Sequence, residues 1–289
     1  MNSTLKLWTQ LGLGTALAGG LLAACGGEAG GEGAAGGEAG AAPSAAATAG
    51  EGEGEGGAGG EGEGAVGAGG EGEGGVATAD AATDPVAYGI ALAVAEAHVV
   101  AARDAYAAGK KDAAAEMFAH PVGEVLVDMD PAFTKLGVKD MKPLFTAASD
   151  AALAGKPAAE VNKAYDAIIA ALRAAATKAP KSDASGAKVS GAVIADMVER
   201  ASAMYRQLPG NDAYEPYLDG YGFARVAAGA FATSGAAIKA ENADLHARIA
   251  DAVVLLAKAY PGAARPAKLP AEPGALSGAS AKVMLAAGR

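Results

Sequence analysis

The stretch Pro157-Ala-Ala-Glu-Val161-Asn-Lys-Ala-Tyr165-Asp-Ala-Ile168-Ile169-Ala-Ala-Leu172-Arg-Ala-Ala-Ala-Thr-Lys178 decides the fold. Val161, Tyr165, Ile168, Ile169 and Leu172 recur at spacings of three and four, which gathers them on one face of a helix. Nothing in the run breaks a helix after its opening proline, and alanine fills the gaps with the best helix former. The same chemistry pervades the chain. It is 51% hydrophobic but only 5% aromatic. A core of Ala, Val, Leu and Ile suits closely packed helices better than sheets. No stretch alternates polar and apolar residues with period two. The expected class is all-α, an antiparallel helical bundle.

Working outward, Asp84-Pro85 is a helix start, with Asp as N-cap and Pro at the first helical position. A helix is expected over Val86–Ala108, closed by Gly109, and a second over Lys110–Ala119. The turn between them resembles the inter-helix turn of a tetratricopeptide repeat. No second copy follows at the spacing of about 34 residues that such repeats use, so an isolated helical hairpin is the better account. His120-Pro121 is expected to end the second helix, because a residue before proline avoids helical backbone. Further helices are expected over Pro131–Leu136, Asp140–Ala154, Val189–Leu208, Tyr214–Thr233 and Ala236–Tyr260, with a new helical turn over Pro121–Asp128. The bundle is bounded at 84–262. Residues 263–289 read as a Pro-rich extension ending in a short helix over Ser280–Ala287.

The first 83 residues belong to another physical class. Lys6 is the only base before Cys25, and an apolar run ends in Leu22-Ala23-Ala24-Cys25. That run is too short and broken for a confident membrane-spanning helix and has the shape of a secretory signal. From Gly26 to Thr83 there are eleven acids and no base, mostly in Gly-Glu-Gly units. Glycine entropy and glutamate repulsion predict a disordered acidic linker over 25–83. As a Gly-rich coil it would span roughly 40 Å. From Asp84 to Arg289 there are 22 bases and 22 acids, so the acidity lies in the linker. A formally neutral bundle argues against a nucleic-acid partner. One cysteine permits neither an intramolecular disulfide nor a thiolate zinc site.

Two groups of residues carry candidate chemistry. The first is His98, Met117, His120 and Glu124. Antiparallel pairing about Gly109 sets His98 opposite His120. Two imidazoles with a thioether and a carboxylate suit an iron, copper or zinc ion. The alternative is a buried or surface His98 with no ligand role, a capping His120 and a Glu124 favoured only by the helix dipole. The second group is Tyr214, Tyr217, Asp219 and Tyr221. Tyr217 and Tyr221 share a helix face, as do Glu215 and Asp219. Phenol and carboxylate oxygens are hard donors suited to ferric iron, or the face is a docking surface. Its alternative is an ordinary amphipathic helix with packed rings and solvated acids. Whether the two groups share one site stays open. His246 stands alone and reads as structural or solvated. No Gly-x-Ser-x-Gly elbow, His-Glu-x-x-His or phosphate-binding loop is present, so an enzyme is not expected.

Leu22-Ala23-Ala24-Cys25 resembles the lipobox of bacterial lipoproteins. The resemblance implies a signal peptide over 1–24, a lipidated Cys25 that anchors the chain to a membrane, and a periplasm-facing position in the cell envelope. Gly26, where an Asp would favour inner-membrane retention, implies the outer membrane in a Gram-negative cell. The Glu199–Phe223 segment, with Tyr205, Asn211 and Tyr214-Glu-Pro-Tyr217-Leu-Asp219-Gly-Tyr-Gly-Phe223, is similar to Tyr-rich helical segments of periplasmic regions linked to bacterial iron permeases. The His98–Glu124 hairpin is similar to imelysin-type periplasmic helical proteins of iron uptake, which carry a His-x-x-Glu motif on a four-helix bundle. Here Gly123 stands where the Glu belongs, and Glu124 comes one residue later. One position moves a helical side chain about 100° around the axis. Together these resemblances imply a non-enzymatic binder in metal acquisition or handling, iron first, with an envelope metal-transport partner. An envelope adaptor without a metal site is the second expectation, and an imelysin-like hydrolase the third.

Overall fold

A computed structural model describes residues 76–289. The expected signal peptide, Cys25 and the expected linker up to residue 75 lie outside the described residues. The remainder is all-α, with no strand among the described residues.

The chain runs through α1 (Pro85–Ala107), α2 (Lys111–Pro121), a π-helical turn (Val122–Leu126), α3 (Asp130–Leu136), α4 (Lys142–Leu153), α5 (Ala158–Ala176), α6 (Gly186–Gln207), α7 (Glu215–Glu241), α8 (Ala243–Ala259) and α9 (Pro273–Ala287). Contacts sort these into two groups. One joins α1, α2, α4 and α5, and the other joins α6, α7, α8 and α9. Helix α1 packs against members of both, touching α2, α5, α6 and α7. That position explains its sequence. Tyr88 through Ala102 is almost wholly apolar and buried around the whole circumference. A helix hydrophobic all round is a core helix. By length and composition α1 could cross a membrane, but it is mostly enclosed by its neighbours. Asp84 caps it, accepting from the Val86 amide at 2.7 Å.

Three expectations are corrected. His120-Pro121 does not break the helical path. Pro121 is the last residue of α2, and the chain continues directly into the π turn, where the Val127 amide reaches back five residues to the Val122 carbonyl at 3.2 Å. Proline lacks an N–H and its ring crowds the carbonyl of residue i−4. The chain nevertheless keeps helical backbone at the proline and widens only in the turn that follows it. The break expected between Thr233 and Ala236 falls instead at Asn242, whose side chain accepts from the Leu245 amide at 2.9 Å. Ser234 is satisfied inside α7 by the Ala230 carbonyl at 2.6 Å, so nothing terminates the helix there. The last helix is also longer than the expected Ser280–Ala287. It starts at Pro273, buries Leu276, Ser280 and Val283, and packs on α6 and α8.

A partly buried ion pair ties α1 to α5. The Arg173 guanidinium holds Glu96 bidentately, at 2.6 and 2.5 Å. Such fork-to-fork pairs are among the stronger polar contacts.

Candidate metal centre

The site forms where α1, α2, the π turn and the start of α7 meet. His98 sits mid-α1 and is 3% exposed. Its Nδ1 lies 2.9 Å from the Val94 carbonyl one turn earlier. A carbonyl only accepts, so Nδ1 carries the proton and Nε2 presents a lone pair in the neutral ring. Burial holds the His98 pKa below its ordinary value, Glu124 opposes that shift and the nearby Arg200 charge adds to it. Nε2 faces Glu124 Oε2 at 3.3 Å and Asp219 Oδ1 at 3.4 Å. Glu124 Oε2 is buried and makes no hydrogen bond. The His98 Nε2 lone pair and Glu124 Oε2 therefore converge in a place that water does not fill freely, with Asp219 beside them.

His120 completes the group from α2. The two imidazole centroids are 5.8 Å apart and the rings meet edge to face. His120 Nδ1 lies 3.7 Å from Glu124 Oε1, and Nε2 lies 3.4 Å from Glu215 Oε1. Glu124 thus stands between the rings, one oxygen toward each. One ligand atom from each of His98, His120 and Glu124 lies within 4.8 Å of the other two. A tetrahedral ion with bonds near 2.1 Å spaces its ligand atoms about 3.4 Å apart. The separations here therefore need only modest contraction on one side to surround an ion.

Local sequence explains each placement. Gly109 takes a left-handed φ of 79° and reverses the chain, so α2 returns along α1 and sets residue 120 beside residue 98. The π turn then carries Glu124 toward both rings. The one-residue offset from His-x-x-Glu does not remove Glu124 from the site, because residues four apart still share a helix face. Gly222 lets α7 approach: a Cβ there would lie 2.3 Å from the Ala97 carbonyl oxygen. With α7 this close, Asp219 reaches His98 and Phe223 sets its ring edge-on to the same imidazole, 5.8 Å between centroids.

The tyrosines of the second candidate group go elsewhere. The Tyr217 hydroxyl donates to the Gly262 carbonyl at 2.8 Å, and Tyr214 donates to Ala263 at 2.6 Å. Tyr221 donates to Asp104 Oδ2 at 2.7 Å. Tyr217 also packs against Tyr260, whose hydroxyl donates to the Ala201 carbonyl. Burial pushes the Tyr217 phenol up to about 12 and raises those of Tyr214 and Tyr221. Phenols held protonated on carbonyls or a carboxylate are poor metal ligands. These rings fasten the 261–263 segment and α1 to α7. The two candidate groups therefore overlap in one respect only: Asp219, expected with the tyrosines, joins the histidines, and Glu215 comes with it. Met117, one turn before His120, is 1% exposed and belongs to the hydrophobic core. His246 packs against Phe231 on the other helix group.

What the sequence pattern did not reveal is that α7 supplies acids to the α1–α2 hairpin. The available signal was Asp219 itself, a carboxylate set in the apolar run Tyr217-Leu218-Asp219-Gly220-Tyr221. An acid in a fully buried stretch demands a partner. Fold and site together describe an all-α bundle with a partly buried histidine–carboxylate cluster at the junction of its two helix groups. No protein-family model, curated protein or solved structure matches the chain.

Proposed function

We propose that this protein binds a transition-metal ion, iron first, at His98, His120, Glu124 and Asp219. It would act as a non-enzymatic accessory in metal acquisition or handling. The observation that carries the reading is the neutral, buried His98, whose Nε2 lone pair faces the oxygens of Glu124 and Asp219 at 3.3 and 3.4 Å. The His98 Nε2 lone pair and the unbonded Glu124 Oε2 repel one another in a low-dielectric interior, and a cation placed between them relieves that repulsion. Two imidazoles with carboxylates and no thiolate suit iron, zinc or copper, and the two-histidine, one-carboxylate set is a frequent one for ferrous iron.

The lipobox resemblance supports a membrane-anchored position for this bundle. In the proposal Cys25 carries the lipid, and the Gly/Glu-rich linker lets the bundle stand off the surface and meet an envelope metal-transport partner. Several acyl chains on one residue give a stable anchor.

Elemental analysis of the purified full chain tests the metal reading, with the His98→Ala/His120→Ala double variant as reference. Near one ion per chain, absent from the double variant, is the expected result. Absent metal after reconstitution, or equal metal in both proteins, sinks the reading. Membrane fractionation tests the anchor: Cys25→Ser is expected to move the chain from the membrane to the soluble fraction. Unchanged membrane association would contradict it.

A further inference from the structure

Resting on that metal reading, we infer that Glu215 is a positioning residue that makes the two histidines ligate through opposite ring nitrogens, His98 through Nε2 and His120 through Nδ1. The argument begins at His98. Its Nδ1 is committed to the Val94 carbonyl at 2.9 Å, which leaves Nε2 for the ion. His120 has no backbone acceptor of this kind. Its two nitrogens face different carboxylates: Nδ1 faces Glu124 Oε1 at 3.7 Å and Nε2 faces Glu215 Oε1 at 3.4 Å.

Glu124 is the residue already shared with His98, so the nitrogen on its side is the one nearest the convergence point. Glu215 lies on the far side of the ring and its side chain is 48% exposed, at the rim of the site. A carboxylate there accepts the Nε2 proton. That fixes the tautomer, leaves the Nδ1 lone pair for the ion and raises the basicity of the ring. Ligating histidines almost always donate their other nitrogen to a carboxylate, carbonyl or water in this way, and losing the partner costs about 10- to 100-fold in metal affinity. The two rings thus have analogous supports of different kinds. One is a main-chain carbonyl one turn away on the same helix. The other is a side chain brought by α7, the helix that also brings Asp219. On this account α7 orients one histidine while contributing a ligand beside the other.

The test is nitrogen-15 NMR of the labelled full chain loaded with zinc. Long-range proton–nitrogen correlations report which nitrogen of each imidazole carries the proton. The chain has only three histidines, and His246, remote on α8, serves as internal control. The expected result is His98 protonated at Nδ1 and His120 at Nε2. Glu215→Ala is expected to remove the fixed His120 tautomer and to weaken zinc binding about 10- to 100-fold. Glu215→Gln keeps an acceptor oxygen and is expected to restore the His120 tautomer. Glu215 is half exposed, so thermal melting of the zinc-free variants is expected to stay close to that of the parent. Zinc bound with both rings ligating through Nε2 would overturn the inference and leave the metal reading standing. So would an unchanged His120 tautomer and affinity in Glu215→Ala. A chain that takes up no zinc, iron or copper overturns the metal reading itself, and this inference with it.

Discussion

The first two turns of α7 face two ways, and the two sides use similar donor atoms to opposite ends. Asp219 and Glu215 turn toward the α1–α2 hairpin, where they meet His98 and His120. Tyr214 and Tyr217 turn toward the 261–263 segment, and each phenol donates its proton to a carbonyl. Both of these phenol donors are spent on the fold. On the histidine side a lone pair and a buried carboxylate oxygen converge with no proton between them. The difference teaches that donor type does not define a site. What defines it is whether the structure has already satisfied the donor.

The comparison is broken most directly by removing the base of the histidine side. His98→Ala is expected to lower metal affinity more than 100-fold, about 2.7 kcal/mol or more. Titration calorimetry of the variant against the parent measures it. The paired control is Tyr217→Phe, which is expected to leave metal affinity unchanged.

Next in size is Gly222→Ala. Its Cβ would enter the Ala97 carbonyl, so α1 and α7 must separate. Overpacking of this kind costs about 1–3 kcal/mol. Denaturant unfolding is expected to show that loss, together with weaker metal binding as Asp219 withdraws from His98.

A pH effect of comparable size sharpens the contrast. The unfolded chain protonates its imidazole near the ordinary value of 6.5, whereas burial holds folded His98 lower. Between those two values the unfolded state carries more protons, so stability falls as pH falls below about 6.5. The slope contributed by one group is at most about 1.4 kcal/mol per pH unit. Unfolding of the metal-free chain from pH 7.5 to 5 is expected to show this loss, and His98→Gln to flatten it. The smallest expected effect is on the tyrosine side, where Tyr217→Phe leaves the Gly262 carbonyl without its donor. Its stability cost is about 1 kcal/mol.

Much of the architecture was legible because the rules that produced it are local. Capping at Asp84, the reversal at Gly109 and the apolar stripe from Val161 to Leu172 each act within a few residues. The pairing of His98 with His120 followed from those local facts, since one tight turn fixes the register of a hairpin. Pro121 misled because the helical backbone runs through it and on into the π turn, a path that packing permits and sequence does not announce. Ser234-Gly235 misled in the same way, since the serine closes on its own helix. Asp219 and Glu215 stand out in the sequence as an i, i+4 pair, but their neighbours do not. Their partners lie more than 90 residues earlier in the chain, and only the approach of α7 to α1, which Gly222 permits, brings them together.

The central claim is that the histidine–carboxylate side binds an ion and the tyrosine side does not. Calorimetric titration of the metal-free full chain with iron(II) under anaerobic conditions tests it most directly, comparing the parent, Asp219→Asn and Tyr214→Phe/Tyr217→Phe. The account predicts one ion per chain in the parent and in the double tyrosine variant, with binding at least tenfold weaker in Asp219→Asn. Full-affinity binding in Asp219→Asn together with its loss in the tyrosine variant would contradict it.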